Sequence, residues 1–82
     1  MATSCKLDIQ NNAVYGGYSN GELKKYTCKN QKCIWTIQLT IDHEVDIIKQ
    51  INTNLSMVAV KDGSLFLVET QYGSILQKIN EN

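Results

Sequence analysis

The chain predicts an all-β protein made of two copies of one four-stranded antiparallel unit, and three observations carry that prediction. Ser19-Asn20-Gly21-Glu22-Leu23 returns 42 positions later as Lys61-Asp62-Gly63-Ser64-Leu65. The same offset runs without a gap from Ile9 to Ile37, matching Ile9 with Ile51, Asn12 with Asn54, Gly21 with Gly63, Leu23 with Leu65 and Ile37 with Ile79. It also sets Gly17 against Ala59 and Ile34 against Leu76. Between the turn residues lie only short apolar-rich runs, the length of strands. A period of about 40 to 45 residues accommodates four of them.

The first unit, about 5–39, divides into Cys5 to Gln10, Ala13 to Tyr18, Glu22 to Lys29 and Lys32 to Leu39. The second, about 46–79, divides into Asp46 to Asn52, Leu55 to Lys61, Ser64 to Glu69 and Ser74 to Ile79. Asn11-Asn12, Ser19-Asn20-Gly21, Thr53-Asn54, Lys61-Asp62-Gly63 and Gln71-Tyr72-Gly73 separate them. These residue types tolerate positive φ or bond their own backbone, and Asn-Gly and Asp-Gly are the strongest hairpin signals a sequence carries. Leu65 and Leu67 alternating with Phe66 and Val68 read as a strand buried on both faces. One segment competes: Val45, Ile48, Ile51, Leu55 and Val58 approximate a helical stripe with Asp42 as its cap. Asn52-Thr53-Asn54 is a poor helix interior, and the repeat aligns it with the Asn11-Asn12 turn, so strands are expected there.

Composition narrows the function classes. With 82 residues the chain makes a single domain, 1–82, and a domain of this size buries only about 60% of its unfolded surface. Its core is marginal, and a second surface is expected to support it. No apolar run approaches the roughly 18 residues of a membrane span, so no membrane partner is expected. The formal charge is zero and all eight basic residues are lysine. Without arginine's planar fork, or a basic stripe, nucleic acid is not an expected partner. The opening Met1-Ala2-Thr3-Ser4-Cys5-Lys6 lacks the charged start and apolar stretch of a secretory signal, which leads to the expectation of a cytoplasmic protein.

Val14-Tyr15-Gly16-Gly17-Tyr18-Ser19-Asn20-Gly21-Glu22-Leu23, followed by Lys32-Cys33-Ile34-Trp35, resembles a blade of the WD40 and quinoprotein-like β-propeller families. Val58 to Leu67 with Gly73-Ser74-Ile75-Leu76 looks like the same unit again. His43 before Val45 looks like the histidine that precedes the first strand of WD40 blades, whereas Trp35 resembles the tryptophan of the quinoprotein-like pattern. Neither copy carries the Trp-Asp dipeptide, Tyr26-Thr27 and Val68-Glu69 standing there, and Gln31 replaces the glycine matched by Gly73. The resemblance implies two four-stranded propeller blades. Two blades are an incomplete propeller unless the chain is part of a longer one or copies associate.

The chemistry-bearing residues give little. Cys28 and Cys33 flank one turn, but Cys5 stands alone and His43 belongs to the opposite end of the blade, so free thiols are expected and no metal. Asp42, His43, Glu44 and Asp46 are the densest ionisable group, yet Ile47 stands where a calcium loop requires glycine. They read as a solvated connector. Gly16-Gly17 and Gly21 precede a strand rather than the helix that a phosphate cradle needs. No cofactor is expected. Tyr15, Tyr18, Tyr26, Tyr72, Trp35 and Phe66 read mainly as packing residues, with Tyr18 the exception.

In an up-and-down meander Tyr18 to Gly21, Asp42 to Glu44 and Lys61 to Gly63 share one rim. Tyr18, Ser19, Asp42, His43 and Lys61 are the candidate partner-binding residues on it. The family resemblance implies a non-enzymatic scaffold that binds other proteins through this rim. The partners would be another protein, the remaining blades or further copies of the chain. Two alternatives stand beside it: a fragment of a quinoprotein-like dehydrogenase, and a structural self-associating β module.

Overall fold

The computed structural model describes residues 2–8 and 11–80. Its strands are β1 (Ala2–Asp8), β2 (Ala13–Tyr18), β3 (Glu22–Thr27), β4 (Cys33–Gln38), β5 (Val45–Asn52), β6 (Leu55–Val60), β7 (Ser64–Glu69) and β8 (Ser74–Asn80). They form two four-stranded sheets, β1-β2-β3-β4 and β5-β6-β7-β8, with every neighbouring pair antiparallel. The helical stripe around Ile48 is strand β5 instead. Its apolar residues pair with β6, Ile48 opposite Val58, and strand pairing overrides the local period.

The repeat is reproduced residue by residue over three strands of each sheet. Gly17 pairs with Leu23 and Ala59 with Leu65; Leu23 pairs with Ile37 and Leu65 with Ile79. The first strands depart from it. Lys6 pairs with Tyr15 but Lys49 pairs with Met57, so β5 follows β1 by 43 positions while β6 follows β2 by 42. The strand expected over Cys5 to Gln10 begins earlier, at Ala2, and is described to Asp8; Ile9 and Gln10, and with Ile9 its match to Ile51, lie outside the described residues. The third and fourth strands of the first sheet are also shorter than expected, because Cys28 to Asn30 form the turn that joins them.

Packing follows from strand alternation, which sends successive side chains to opposite faces. Val58, Val60, Phe66 and Val68 point from the second sheet into one core with Tyr15, Leu23 and Ile37 of the first. Phe66 and Val68 are 2% and 0% exposed. Burying each such side chain contributes about 1.5–3 kcal/mol. Leu65 and Leu67, expected to be covered as well, are only half-buried, because their face has no sheet against it.

Polar contacts fix how the sheets meet. Lys25 Nζ and Trp35 Nε1 both donate to the carbonyl oxygen of Thr70 at 2.9 Å. At the other end of the strands Thr3 Oγ1 donates to the Val45 carbonyl at 2.7 Å. Trp35 also tilts over Tyr15, ring centroids 6.1 Å apart. Gly17 lies where β2 meets β5, and a Cβ there would run into Ser4 Oγ and Val45, so only glycine permits this approach.

Candidate functional site

The rim is built by two equivalent turns and the β4–β5 connection. Gly21 and Gly63 take φ of 86° and 92°, the left-handed region where a side chain would be strained. Their N–H groups donate to Tyr18 and Val60 carbonyls at 3.1 and 3.0 Å. Asn20 Oδ1 accepts from Glu22 N–H at 3.2 Å and Asp62 Oδ1 from Ser64 N–H at 2.9 Å, the same Asx turn twice. That backbone bond, with the Ser64 hydroxyl, holds the Asp62 carboxyl below its ordinary range.

The connection is strapped onto both turns. Gln38 Nε2 donates to Asn20 O at 2.7 Å and Thr40 O at 2.6 Å, and Thr40 Oγ1 donates to His43 O at 3.2 Å. Lys61 N–H donates to Glu44 O at 2.9 Å, and Lys61 Nζ lies 2.8 Å from Glu44 Oε2. Hydrogen bonding to Glu44, reinforced by its charge, raises the Lys61 amine above its usual value.

The expected rim residues divide accordingly. Ser19, Asp42, His43 and Lys61 are exposed on this one end, Asp42 with a φ of 61°. Tyr18 contributes only its backbone there. Its side chain runs back over Gly16 along the free face of the first sheet, where its hydroxyl lies 2.7 Å from that of Tyr26 and Lys24 Nζ sits 5.2 Å from its ring. The bond to Tyr26, followed by burial, raises the Tyr18 pKa.

The hollows lie at the opposite end of the strands. One, of 520 Å³, is lined by Lys6, Leu7, Asp8 and Gln50 to Thr53, where β1 and β5 end side by side. A second, of 440 Å³, is lined by Val14, Tyr26, Thr27, Cys28 and Gln31. Asp8 was not singled out by sequence, yet it is 1% exposed. Burial alone would raise its pKa, but bonds from the Asn11 side chain, Gln50, the Asn11 N–H and Tyr15 outweigh it and leave the pKa low. Asn11 Nδ2 lies 2.8 Å from Asp8 Oδ2 and 3.0 Å from the Thr53 carbonyl, so the carboxylate anchors a link between the sheets. The signal was an Asp three residues before an Asn-Asn turn, where its carboxylate accepts from the Asn11 N–H.

Of the aromatics, Tyr15 and Phe66 are in the core and Trp35 packs against it, whereas Tyr72, expected to pack, is 76% exposed. Its turn is held by backbone bonds to the Glu69 carboxylate rather than by its ring. Cys5, Cys28 and Cys33 are free thiols, Cys33 Sγ donating to the Trp35 carbonyl at 3.5 Å. No three His, Cys, Asp or Glu side chains converge as metal ligands among the described residues.

No known protein family's profile matches the chain, and no curated protein does. Solved structures do match. The WD40 β-propeller domain of Doa1 superposes with a TM-score of 0.80 at 17% identity, over 99% of this chain and 27% of that one. BamB from Moraxella catarrhalis superposes with a TM-score of 0.80 at 15% identity, over 100% of this chain and 24% of that one. The fold is therefore that of two consecutive β-propeller blades, and the chain spans about a quarter of each matched chain.

Proposed function

We propose that the chain is a non-enzymatic interaction module, a propeller fragment that binds other proteins through the rim carrying Ser19, Asp42, His43 and Lys61. The observation supporting this reading is the way both turns and the β4–β5 connection are strapped together by Gln38, Thr40 and the Glu44–Lys61 pair. A pre-ordered display of both charge signs loses little conformational entropy when a partner docks. Tyr18, turned onto the sheet face, belongs to this reading only through the backbone of its turn.

The test compares the two ends of the molecule. Proteins retained by the immobilised chain are identified by mass spectrometry and compared for the wild type, for His43→Ala with Lys61→Ala, and for Asn52→Ala with Thr53→Ala at the opposite end. The reading expects a discrete partner lost only with the rim variant. Retention by the rim variant, or loss with the opposite-end variant alone, contradicts it.

A further inference from the structure

The first rim turn carries a reactive pair that the fold cannot avoid. Asn20 is the asparagine of this sequence that a glycine follows, and 42 positions on stands Asp62, also before a glycine. A backbone nitrogen whose residue lacks a Cβ meets little hindrance in swinging onto the side-chain carbonyl of the residue before it, so an asparagine before glycine is the one most prone to cyclise. Glycine is required here: Gly21 has a φ of 86°, and a Cβ on it would run into the Thr40 carbonyl and hydroxyl. The structure also holds the pair shut. Gly21 N–H donates to the Tyr18 carbonyl at 3.1 Å, and Asn20 Oδ1 accepts from the Glu22 N–H at 3.2 Å. Gln38 Nε2, 2.7 Å from the Asn20 carbonyl and 2.6 Å from the Thr40 carbonyl, fixes the Asn20 backbone and keeps Thr40 over the buried Gly21. Asn20 and Gln38 are themselves exposed, so water reaches the clasp.

We propose that Asn20 is a modification site, converted without an enzyme into aspartate and isoaspartate, and that Gln38 is the clasp that governs how fast. The Gly21 nitrogen gives its proton to hydroxide and bonds to Asn20 Cγ, the Cγ–Nδ2 bond breaks, and ammonia leaves. Water then opens the cyclic imide at either carbonyl, so the net reaction consumes water, releases ammonia and oxidises nothing. The second turn shows that an aspartate fits: Asp62 Oδ1 accepts from the Ser64 N–H at 2.9 Å in the same arrangement. What differs is the neighbour. Asn20 Nδ2 donates to Glu22 Oε1 at 2.8 Å, whereas Ser64 stands at that place in the second turn. A carboxylate at position 20 therefore faces Glu22 with like charge, and the isoaspartate form also lengthens the backbone between Ser19 and Gly21. Conversion makes the rim more acidic at the turn that carries Ser19. The chemistry does not depend on the rim reading; only its effect on docking rests on that reading.

The test follows the peptide containing Asn20 by mass spectrometry, with isoaspartate counted by enzymatic methylation, in the full chain incubated at mildly alkaline pH. The wild type, Gln38→Ala and Gln38→Glu, which keeps the side chain's shape and removes its donor, are compared folded and in guanidinium chloride. Circular dichroism verifies that the folded samples keep their strand signal. The proposal expects acid to accumulate at Asn20 ahead of every other asparagine, and about fivefold faster in the folded Gln38 variants than in the folded wild type, the factor that one hydrogen bond is worth. In denaturant the three chains converge on one faster rate. No partner is needed, so the outcome is separate from the retention assay on the rim. Equal rates in the three folded chains, a gap that persists in denaturant, or conversion that begins at Asn12, Asn30 or Asn54 overturns the proposal.

Discussion

The two blades share a backbone and differ in what they do with it. In the first, the face turned to its neighbour mixes polar and apolar groups: Lys25 and Trp35 reach across to Thr70, and Asp8 holds Asn11 against Thr53. In the second, the equivalent face offers Leu67 and Gln77 at the places of Lys25 and Trp35. Turn residues and alternation define a blade; the side chains between the turns define its neighbour. The first junction is specified by directed hydrogen bonds around an apolar centre, whereas the open face sets Leu65 and Leu67 beside the polar Gln77 and Lys49.

That contrast breaks most visibly at Phe66 and Leu65, adjacent residues on opposite faces. Phe66→Ala removes a ring from the core and is expected to cost about 3–5 kcal/mol, enough to unfold a marginal domain. Leu65→Ala, half-buried on the open face, costs clearly less, and urea unfolding of the two variants measures the gap. Equal losses would mean the faces are equally packed.

The next test sets Gly17 against Ala59, its repeat mate. Gly17→Val drives methyl groups into Val45 at the junction and should cost about 1–3 kcal/mol, whereas Ala59→Val on the open face is close to neutral. Asp8 tests the polar side of the same junction. Asp8→Ala removes an acceptor from the Asn11 amide and from the buried Tyr15 hydroxyl and should cost about 1–3 kcal/mol. Because the native carboxyl is held below its ordinary 3.8, its contribution is complete above that pH and is lost as pH falls through the lower native value. Asp8→Asn should flatten that acid-side decline in a pH series of melting temperatures.

Two smaller effects sharpen the comparison of turns. Gln31 has a φ of 56° where its repeat mate Gly73 has 81°, so Gln31→Gly is expected to stabilise by about 1 kcal/mol as left-handed strain is relieved. Lys61→Ala, at an exposed ion pair, should leave the melting temperature unchanged, since such pairs gain little in water. A substantial drop would mean that the Glu44–Lys61 pair contributes more to stability than an exposed ion pair does.

Much of this architecture was legible because turn chemistry and alternation are local. Asn20-Gly21 and Asp62-Gly63 mark equivalent hairpins, and Phe66 and Val68 mark a strand. The one-residue slip between β1 and β5 was not legible, since ungapped sliding fixes one offset and the first strands obey another. Nor was the direction of Tyr18, which depends on a partner eight residues away across the sheet. Asp8 escaped notice because its partner Gln50, and the Thr53 carbonyl that its partner Asn11 also reaches, come from the other half of the chain. The rim cluster was recoverable because up-and-down topology alone places alternate turns at one end.

The central claim is that the second blade packs face to face on the first through the junction of Tyr15, Trp35, Phe66 and Thr70. Nuclear Overhauser contacts measured on the isolated chain test it most directly. The account predicts cross-peaks from the Trp35 indole N–H to Thr70 and Gly73, and from Gly17 to Val45, alongside the ladder contacts within each sheet. Intact ladders in both halves with none of those inter-sheet peaks would contradict it.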